Sequence, residues 1–206
     1  MEERRGQIHL YTGNGKGKTT ASLGLAMRAI GHGMSVYMVQ FLKGGSYTGE
    51  YVAAENYLPQ FKIDQVGKPC IKMAHQKTLG AFSKGGKKDI VVREAIDCGA
   101  CRFCFQIDET DKNEARKSFF YVESLIRSGD IDMVILDEIT YILNRGFISL
   151  DNLIKLLKEK HNKVEVILTG RDAPKILIDA CDLVSEIKDV KHYMKKGLMA
   201  RPGIEY

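Results

Sequence analysis

Residues 7–33 read QIHLYTGNGKGKTTASLGLAMRAIGHG, and this stretch decides the fold. The apolar burst 7–12 predicts a short strand. From Lys18 to Ile30, Leu, Ala and Met recur at helical spacing, and Gly31 and Gly33 are stop signals. Between them lies Thr12-Gly13-Asn14-Gly15-Lys16-Gly17-Lys18-Thr19-Thr20, a glycine-rich turn leading from strand to helix. Glycines there let the backbone turn several N–H groups toward one anion, and the helix N-terminus adds its dipole. Lys18 can reach phosphate oxygens, and the Thr19 hydroxyl can ligate Mg²⁺. The usual pattern, G-x-x-x-x-G-K-[ST], fails at one position, because Thr12 stands where the first glycine belongs. The bland alternative is a glycine-rich turn that holds nothing.

Outward from the loop the same rhythm continues. Strands are predicted at 35–42, 132–136, 164–169 and 184–187. Helices are predicted at 114–127, with Asp111 as cap and Gly129 as stop, at 150–160, and from Pro174 to about Asp182. Near-continuous apolar strands alternating with helices predict an α/β fold, a mostly parallel sheet flanked by helices. The third strand runs into Asp137 and Glu138. Two carboxylates at a strand end beside a phosphate loop suit a Mg²⁺–nucleotide site, whereas alone they read as a solvated terminus.

Length and composition agree. A chain of 206 residues fits one domain, spanning 1–206, and 44% hydrophobic with 28% charged residues excludes wholesale disorder. No apolar run approaches the roughly 20 residues that cross a bilayer. The N-terminus lacks the apolar stretch of a signal peptide. A cytoplasmic protein without a membrane partner is the expectation. The net charge of +5 is compatible with an anionic partner and equally with a solvated surface.

One stretch breaks the rhythm. Residues 62–110 show poor periodicity, carry a basic GGKK at 85–88 and hold four of the five cysteines. Nearly 50 residues is too long for a plain connection, so the segment reads as an inserted lid or subdomain. Cys98, Cys101 and Cys104 form C-x2-C-x2-C, and Cys70 is the candidate fourth thiolate. Such a set suits a [4Fe–4S] cluster or Zn²⁺, with the consecutive short spacings leaning to iron–sulfur; three reduced thiols are the alternative. Cys181, in KILIDACDLV, reads as a packed core residue.

Taken together, YTGNGKGKTTASLGLAMRAIGHG at 11–33, VQFLKG at 39–44, VILDEI at 134–139, LTGRDAP at 168–174 and KHYMKKGLMARPGIE at 191–205 resemble the P-loop corrinoid adenosyltransferases. The threonine at the first loop position belongs to that resemblance, which leaves 62–110 outside. It implies a P-loop NTPase-like fold and transfer of the 5′-adenosyl group of ATP to the Co(I) of a corrinoid, with triphosphate leaving. Co(I) is itself the nucleophile, so no protein nucleophile or general base is required. The protein must orient C5′ and stabilise charge on the departing triphosphate. The resemblance implies roles for Gly13, Asn14, Gly15, Lys16, Gly17, Lys18 and Thr19 around the phosphates, with Thr19 and Glu138 holding Mg²⁺ (or Mn²⁺) and Asp137 behind them or alternating. By position, Thr20 and Arg28 fall near the ribose or phosphates, Arg28 being equally readable as an exposed helix residue. Arg171 follows a strand end, where open α/β sheets place ligands, and reads equally as a structural ion pair. Lys191, His192, Arg201 and Glu205 belong to the tail signature without separate roles, His192 reading as a structural hydrogen-bonding residue. A homodimer, and a reductant or flavoprotein supplying Co(I), are implied as partners.

The family's corrinoid loop is aromatic and often contains Trp. This sequence has no Trp, and Phe82, Phe103 and Phe105 are the possible substitutes. Two other readings compete. A nucleoside kinase of the thymidine-kinase type also carries four cysteines, but places them after the Asp-Glu strand rather than before it. An ATP-gated nucleic-acid-binding module would use Lys84, Lys87 and Lys88, but no aromatic–basic RNA motif accompanies them.

Overall fold

The computed structural model describes residues 5–44, 48–68 and 107–206. Six strands form one sheet: β1 (Ile8–Thr12), β2 (Val36–Phe41), β3 (Phe61–Val66), β4 (Met133–Asp137), β5 (Glu165–Thr169) and β6 (Leu183–Glu186). Their order is β3-β2-β4-β5-β1-β6, and every neighbouring pair is parallel. Among the described residues, six helices connect them: α1 (Lys18–Gly31), α2 (Gly49–Tyr57), α3 (Glu109–Ser128), α4 (Ile139–Asn144), α5 (Leu150–Glu159) and α6 (Lys175–Asp179). A 3-10 turn, Tyr193–Lys196, follows β6. The predicted α/β architecture is therefore the observed one. The cysteines expected to form a cluster, Cys70, Cys98, Cys101 and Cys104, lie outside the described residues, as does most of the segment read as a lid.

Strand alternation sorts the core into two layers. Met133 and Ile135 of β4, with Met38 and Ile167, meet Ala26 and Ala29 of α1 and Ala54 of α2. Val134 and Leu136, with Leu10, Val39, Val166 and Leu168, meet Phe119, Val122 and Ile126 of α3 and Leu153 and Leu156 of α5. Helices cover both faces, which explains why β2 and β4 are buried along their whole length.

The elements the sequence reading lacked are β3, α2 and α4. Phe61-Lys62-Ile63-Asp64 buries Phe61 and Ile63 and exposes Lys62 and Asp64, as a strand at the sheet edge does. An alternating strand with charges gives no apolar run, so the irregular segment was expected to begin where β3 lies. In α2 only Ala54 is buried, too weak a stripe to register. The bounds of two helices also moved by several residues. Helix α3 begins at Glu109 and not 114, because its first turn is polar and its buried stripe opens only at Ala115. Its cap is Asp108 and not Asp111: the Asp108 carboxylate accepts the N–H groups of Thr110 and Asp111, while Asp111 accepts the Asp108 N–H, a reciprocal box. Helix α6 ends at Asp179, since Asp182 leaves it for the sheet, its carboxylate accepting the Ile8 N–H at 2.8 Å. Pro174 accordingly sits at the N-cap, just outside the first turn. Cys181 packs beside the core, its thiol pushed up to about 12, by burial first and then by Asp182.

The Asp108 carboxyl lies at about 2 because Lys68 donates to it first and the α3 amides second. Folded-state depression means that its stabilising effect is present above the ordinary carboxylate range and is lost as pH falls through that range toward about 2. Asp108→Ala is expected to lower the urea midpoint at pH 7 with an unchanged slope, and to flatten the acid limb of stability against pH.

Candidate nucleotide site at the carboxyl edge of the sheet

Because all strands are parallel, their carboxyl ends lie along one edge, where open α/β sheets place ligands. Five chain-distant pieces meet there: the loop after β1, Lys43 after β2, Asp137-Glu138 at the end of β4, Thr169-Gly170-Arg171 after β5, and Ile187-Lys188 after β6.

Thr12 is the last residue of β1, paired with Glu186, so its backbone needs no glycine. The sharp turn comes one residue later at Gly13, with φ +99. The loop is clasped from outside. Ile187 donates its N–H to the Thr12 carbonyl at 2.8 Å, and its own carbonyl accepts the Gly15 N–H at 2.7 Å. A Cβ at Gly13 would lie 2.5 Å from the Ile187 oxygen, and one at Gly15 would lie 2.7 Å from the Lys188 carbonyl carbon. The two glycines thus admit the strap formed by residues 187–188. Gly17 differs: it caps α1 with φ +121, and a Cβ there would meet nothing within 4 Å. Among the described residues, no acceptor meets the N–H groups of Lys16, Gly17, Lys18 or Thr19. Unpaired amides at a helix N-terminus facing open space form an anion cradle.

Lys18, only 5% exposed, lies along the loop and donates to the carbonyls of Gly13 at 2.7 Å and Gly15 at 2.8 Å. Two of its three ammonium protons are so used. Burial lowers its pKa, Arg171 adds to that, and Glu138 and Asp137 oppose it.

The floor is Asp137, fully buried. One carboxylate oxygen accepts the hydroxyls of Thr19 at 2.8 Å and Thr169 at 2.6 Å; the other accepts the Lys43 ammonium at 2.9 Å. Burial acts to lower Lys43, but Asp137, with Glu50 and Glu138 behind it, outweighs that and raises it. Glu138 adopts the left-handed conformation, φ 59, and anchors its N–H on Thr169 Oγ1 at 3.0 Å. A non-glycine residue there carries strain of order 1 kcal/mol or more, maintained by the surrounding bonds. Its carboxylate accepts no hydrogen bond from the described residues. Burial raises its pKa and Asp137 raises it further, against Lys18, Lys43 and Arg171.

The structure therefore gathers Gly13, Gly15, Gly17, Lys18, Thr19, Asp137 and Glu138. Arg171 is exposed, makes no ion pair with a described carboxylate, and lies close enough to perturb Lys18 and Glu138. Asn14 and Thr20 sit at the loop with exposed side chains. Arg28 is in the last turn of α1, ten residues and about 15 Å along the axis from Lys18, on the exposed face. Lys16 points elsewhere than expected: its ammonium donates to Tyr193 Oη and Glu205 Oε1, each at 2.7 Å, and not into the cradle. His192 caps the 3-10 turn, Nδ1 accepting the Met194 N–H at 3.1 Å. Lys43 and Thr169 were not among the expected site residues. The strand-end rule applied to Arg171 would have found both.

The family model for the ATP:corrinoid adenosyltransferases BtuR/CobO/CobP matches residues 4–88 and 81–206. The chain belongs to this family. The corrinoid adenosyltransferase of Escherichia coli (strain K12) is 33% identical over 205 residues, covering 100% of this chain and 88% of that protein. Corrinoid adenosyltransferase CobA of Salmonella typhimurium (strain LT2) is likewise 33% identical over 205 residues, covering 100% and 88%. That of Pseudomonas aeruginosa is 28% identical over 204 residues, covering 99% and 85%. The likeness is wider than the sequence motifs implied: the two family matches enter 62–110 from either side and overlap at 81–88. Neither the nucleoside kinase nor the nucleic-acid module is favoured by these relatives. Among the described residues, no helix is long and apolar enough to cross a membrane.

Proposed function

We infer that the protein transfers the 5′-adenosyl group of ATP to the Co(I) of a corrinoid and releases triphosphate. Membership of the adenosyltransferase family supports the reaction, and the cradle of unpaired amides above Lys18 and Asp137 supports the place where ATP is held. In the reaction Co(I) gives its electron pair to C5′, and the C5′–O bond pair leaves with the triphosphate. The protein's share is to hold the triphosphate fixed and to meet the charge that accumulates on it. The free N–H groups of Lys16 to Thr19 and the third proton of Lys18 are suited to that, with Lys43 and Arg171 adding positive field.

The donors also suit Mg²⁺ (or Mn²⁺). Asp137 is already engaged by two hydroxyls and an ammonium, so it serves behind the metal, orienting Thr19. Thr19 Oγ1 and the unengaged Glu138 carboxylate are the groups that would hold the ion, which when bound would neutralise phosphate charge. The decisive experiment supplies ATP, Mg²⁺ and chemically reduced cob(I)alamin. Light-sensitive adenosylcobalamin with equimolar triphosphate is the expected product; ADP in place of triphosphate would refute the reading.

A cytoplasmic homodimer served by a reductant or flavoprotein is supported by the family resemblance. The spacing of Cys98, Cys101 and Cys104, with Cys70, supports a four-thiolate site that would hold a [4Fe–4S] cluster or Zn²⁺ and stiffen the segment around it. Protein purified anaerobically should carry iron with visible absorbance, lost in Cys101→Ser. Stoichiometric zinc without iron would eliminate the cluster and any part for it in delivering an electron to cobalt.

A further inference from the structure

Lys16 lies in the middle of the phosphate loop, yet its ammonium is fully engaged by residues almost two hundred positions away. It donates to Tyr193 Oη and Glu205 Oε1 at 2.7 Å each and lies 3.5 Å from the Ile204 carbonyl. An ammonium has three protons, so these acceptors leave none for a phosphate oxygen. Glu205 is held in turn: Tyr193 donates its hydroxyl to Oε1, and Arg201 supplies its backbone N–H to Oε2 at 2.7 Å and its guanidinium to both oxygens at 3.4 Å. The Arg201 guanidinium stands over the Tyr193 ring at 5.1 Å, and the Lys16 ammonium stands over it at 5.4 Å. Lys16 and then Tyr193 depress the Glu205 carboxyl well below its usual range. Nearby Lys195 is occupied by Asp189 at 2.7 Å, and Lys188 by Glu186 at 3.3 Å.

We propose that Glu205, helped by Tyr193, is a positioning residue that withholds the Lys16 charge from the triphosphate and so limits how tightly the product is retained. This rests on the nucleotide-site reading above. Lys18, Lys43 and Arg171 already face the phosphates, and a further mobile ammonium on the loop would favour bound triphosphate more than the transition state. Binding that favours the product over the transition state lowers turnover when product release is slow.

Calorimetric titration with inorganic triphosphate in the presence of Mg²⁺ tests this. In Glu205→Gln the amide retains the shape and one acceptor oxygen, so it keeps the bonds at Oε1 or those at Oε2 but not both, and it no longer neutralises Lys16. Triphosphate affinity is expected to rise about three- to fivefold. Steady-state kcat is expected to fall, while the single-turnover rate of adenosyl transfer is maintained. Tyr193→Phe, which removes one acceptor of Lys16 and one donor to Glu205 but keeps the Glu205 charge, gives a smaller change in the same direction. Adding Lys16→Met to Glu205→Gln returns the affinity to the wild-type value. The gain shrinks toward unity as salt rises from about 0.05 M to about 0.5 M, which a purely structural role of the tail would not produce. An affinity that is unchanged or weaker in Glu205→Gln, or a gain that persists in the double variant, overturns the proposal. Wild-type protein that binds neither ATP nor triphosphate overturns the nucleotide-site reading, and this proposal with it.

Discussion

Lys18→Ala is expected to lower kcat/KM for adenosyl transfer by about 10²–10³-fold, measured as adenosylcobalamin formed from ATP and cob(I)alamin. Two effects combine. The ammonium is held in place by the Gly13 and Gly15 carbonyls before ATP arrives, so the wild-type charge needs no reorganisation when the C5′–O bond breaks. Alanine also leaves those two carbonyls without their donor, loosening the turn whose amides face the phosphates. Lys18→Arg should recover little, because a planar fork cannot lie along the loop as the single ammonium does. Activity close to wild type in Lys18→Ala would refute the site.

Asp137→Ala carries the second large effect, and it is visible in stability as well as activity. The carboxylate is the common acceptor of Thr19, Thr169 and Lys43. Its removal leaves the half-buried Lys43 ammonium with only Glu50, at 3.7 Å, among the described residues, and frees two hydroxyls. Breaking a buried pair on one side costs about 3–5 kcal/mol, and the partial exposure of Lys43 puts the expected loss near the lower bound, about 3 kcal/mol. For a chain of this size that is a fall in Tm of about 6–12 °C. Removing Lys43 as well, in Asp137→Ala/Lys43→Met, should restore part of the stability but none of the activity, since Thr19 would still lack the group that orients it. A double variant as unstable as Asp137→Ala would show that the pair is not the source of the loss.

The loop, the Asp-Glu strand end and the sheet class were legible because each is a local pattern with one physical meaning. Glycines mark positive φ, continuous apolar strands mark burial on both faces, and carboxylates after such a strand fall at the ligand edge. What escaped depends on neighbours. β3 was missed because an edge strand buries one face, so Lys62 and Asp64 mask Phe61 and Ile63. The start of α3 was missed because a capping box is polar and precedes the apolar stripe. The strand-end rule could place Lys43 at the ligand edge, but its partner Asp137 became visible only once β2 was seen beside β4, with Val39 level with Leu136, which brings the end of one strand to the carboxylate at the end of the other. The destination of Lys16 could not be read locally, since its acceptors come from the far end of the sequence.

The strand order also has a kinetic consequence. β1 carries the phosphate loop, but its only neighbours are β5 and β6: Ile8 pairs with Val166, and His9 with Leu183. The next strand made, β2, lies three positions away across the sheet. During synthesis β1 therefore waits, apolar and unpaired, until most of the chain has left the ribosome. Parallel pairings that close such long loops form slowly, and exposed strand edges invite association with other chains. Yield in a recombinant host should thus respond more to slow expression at low temperature than to any change on the finished surface, and the β5-β1-β6 side of the sheet should be the last part of the molecule to assemble.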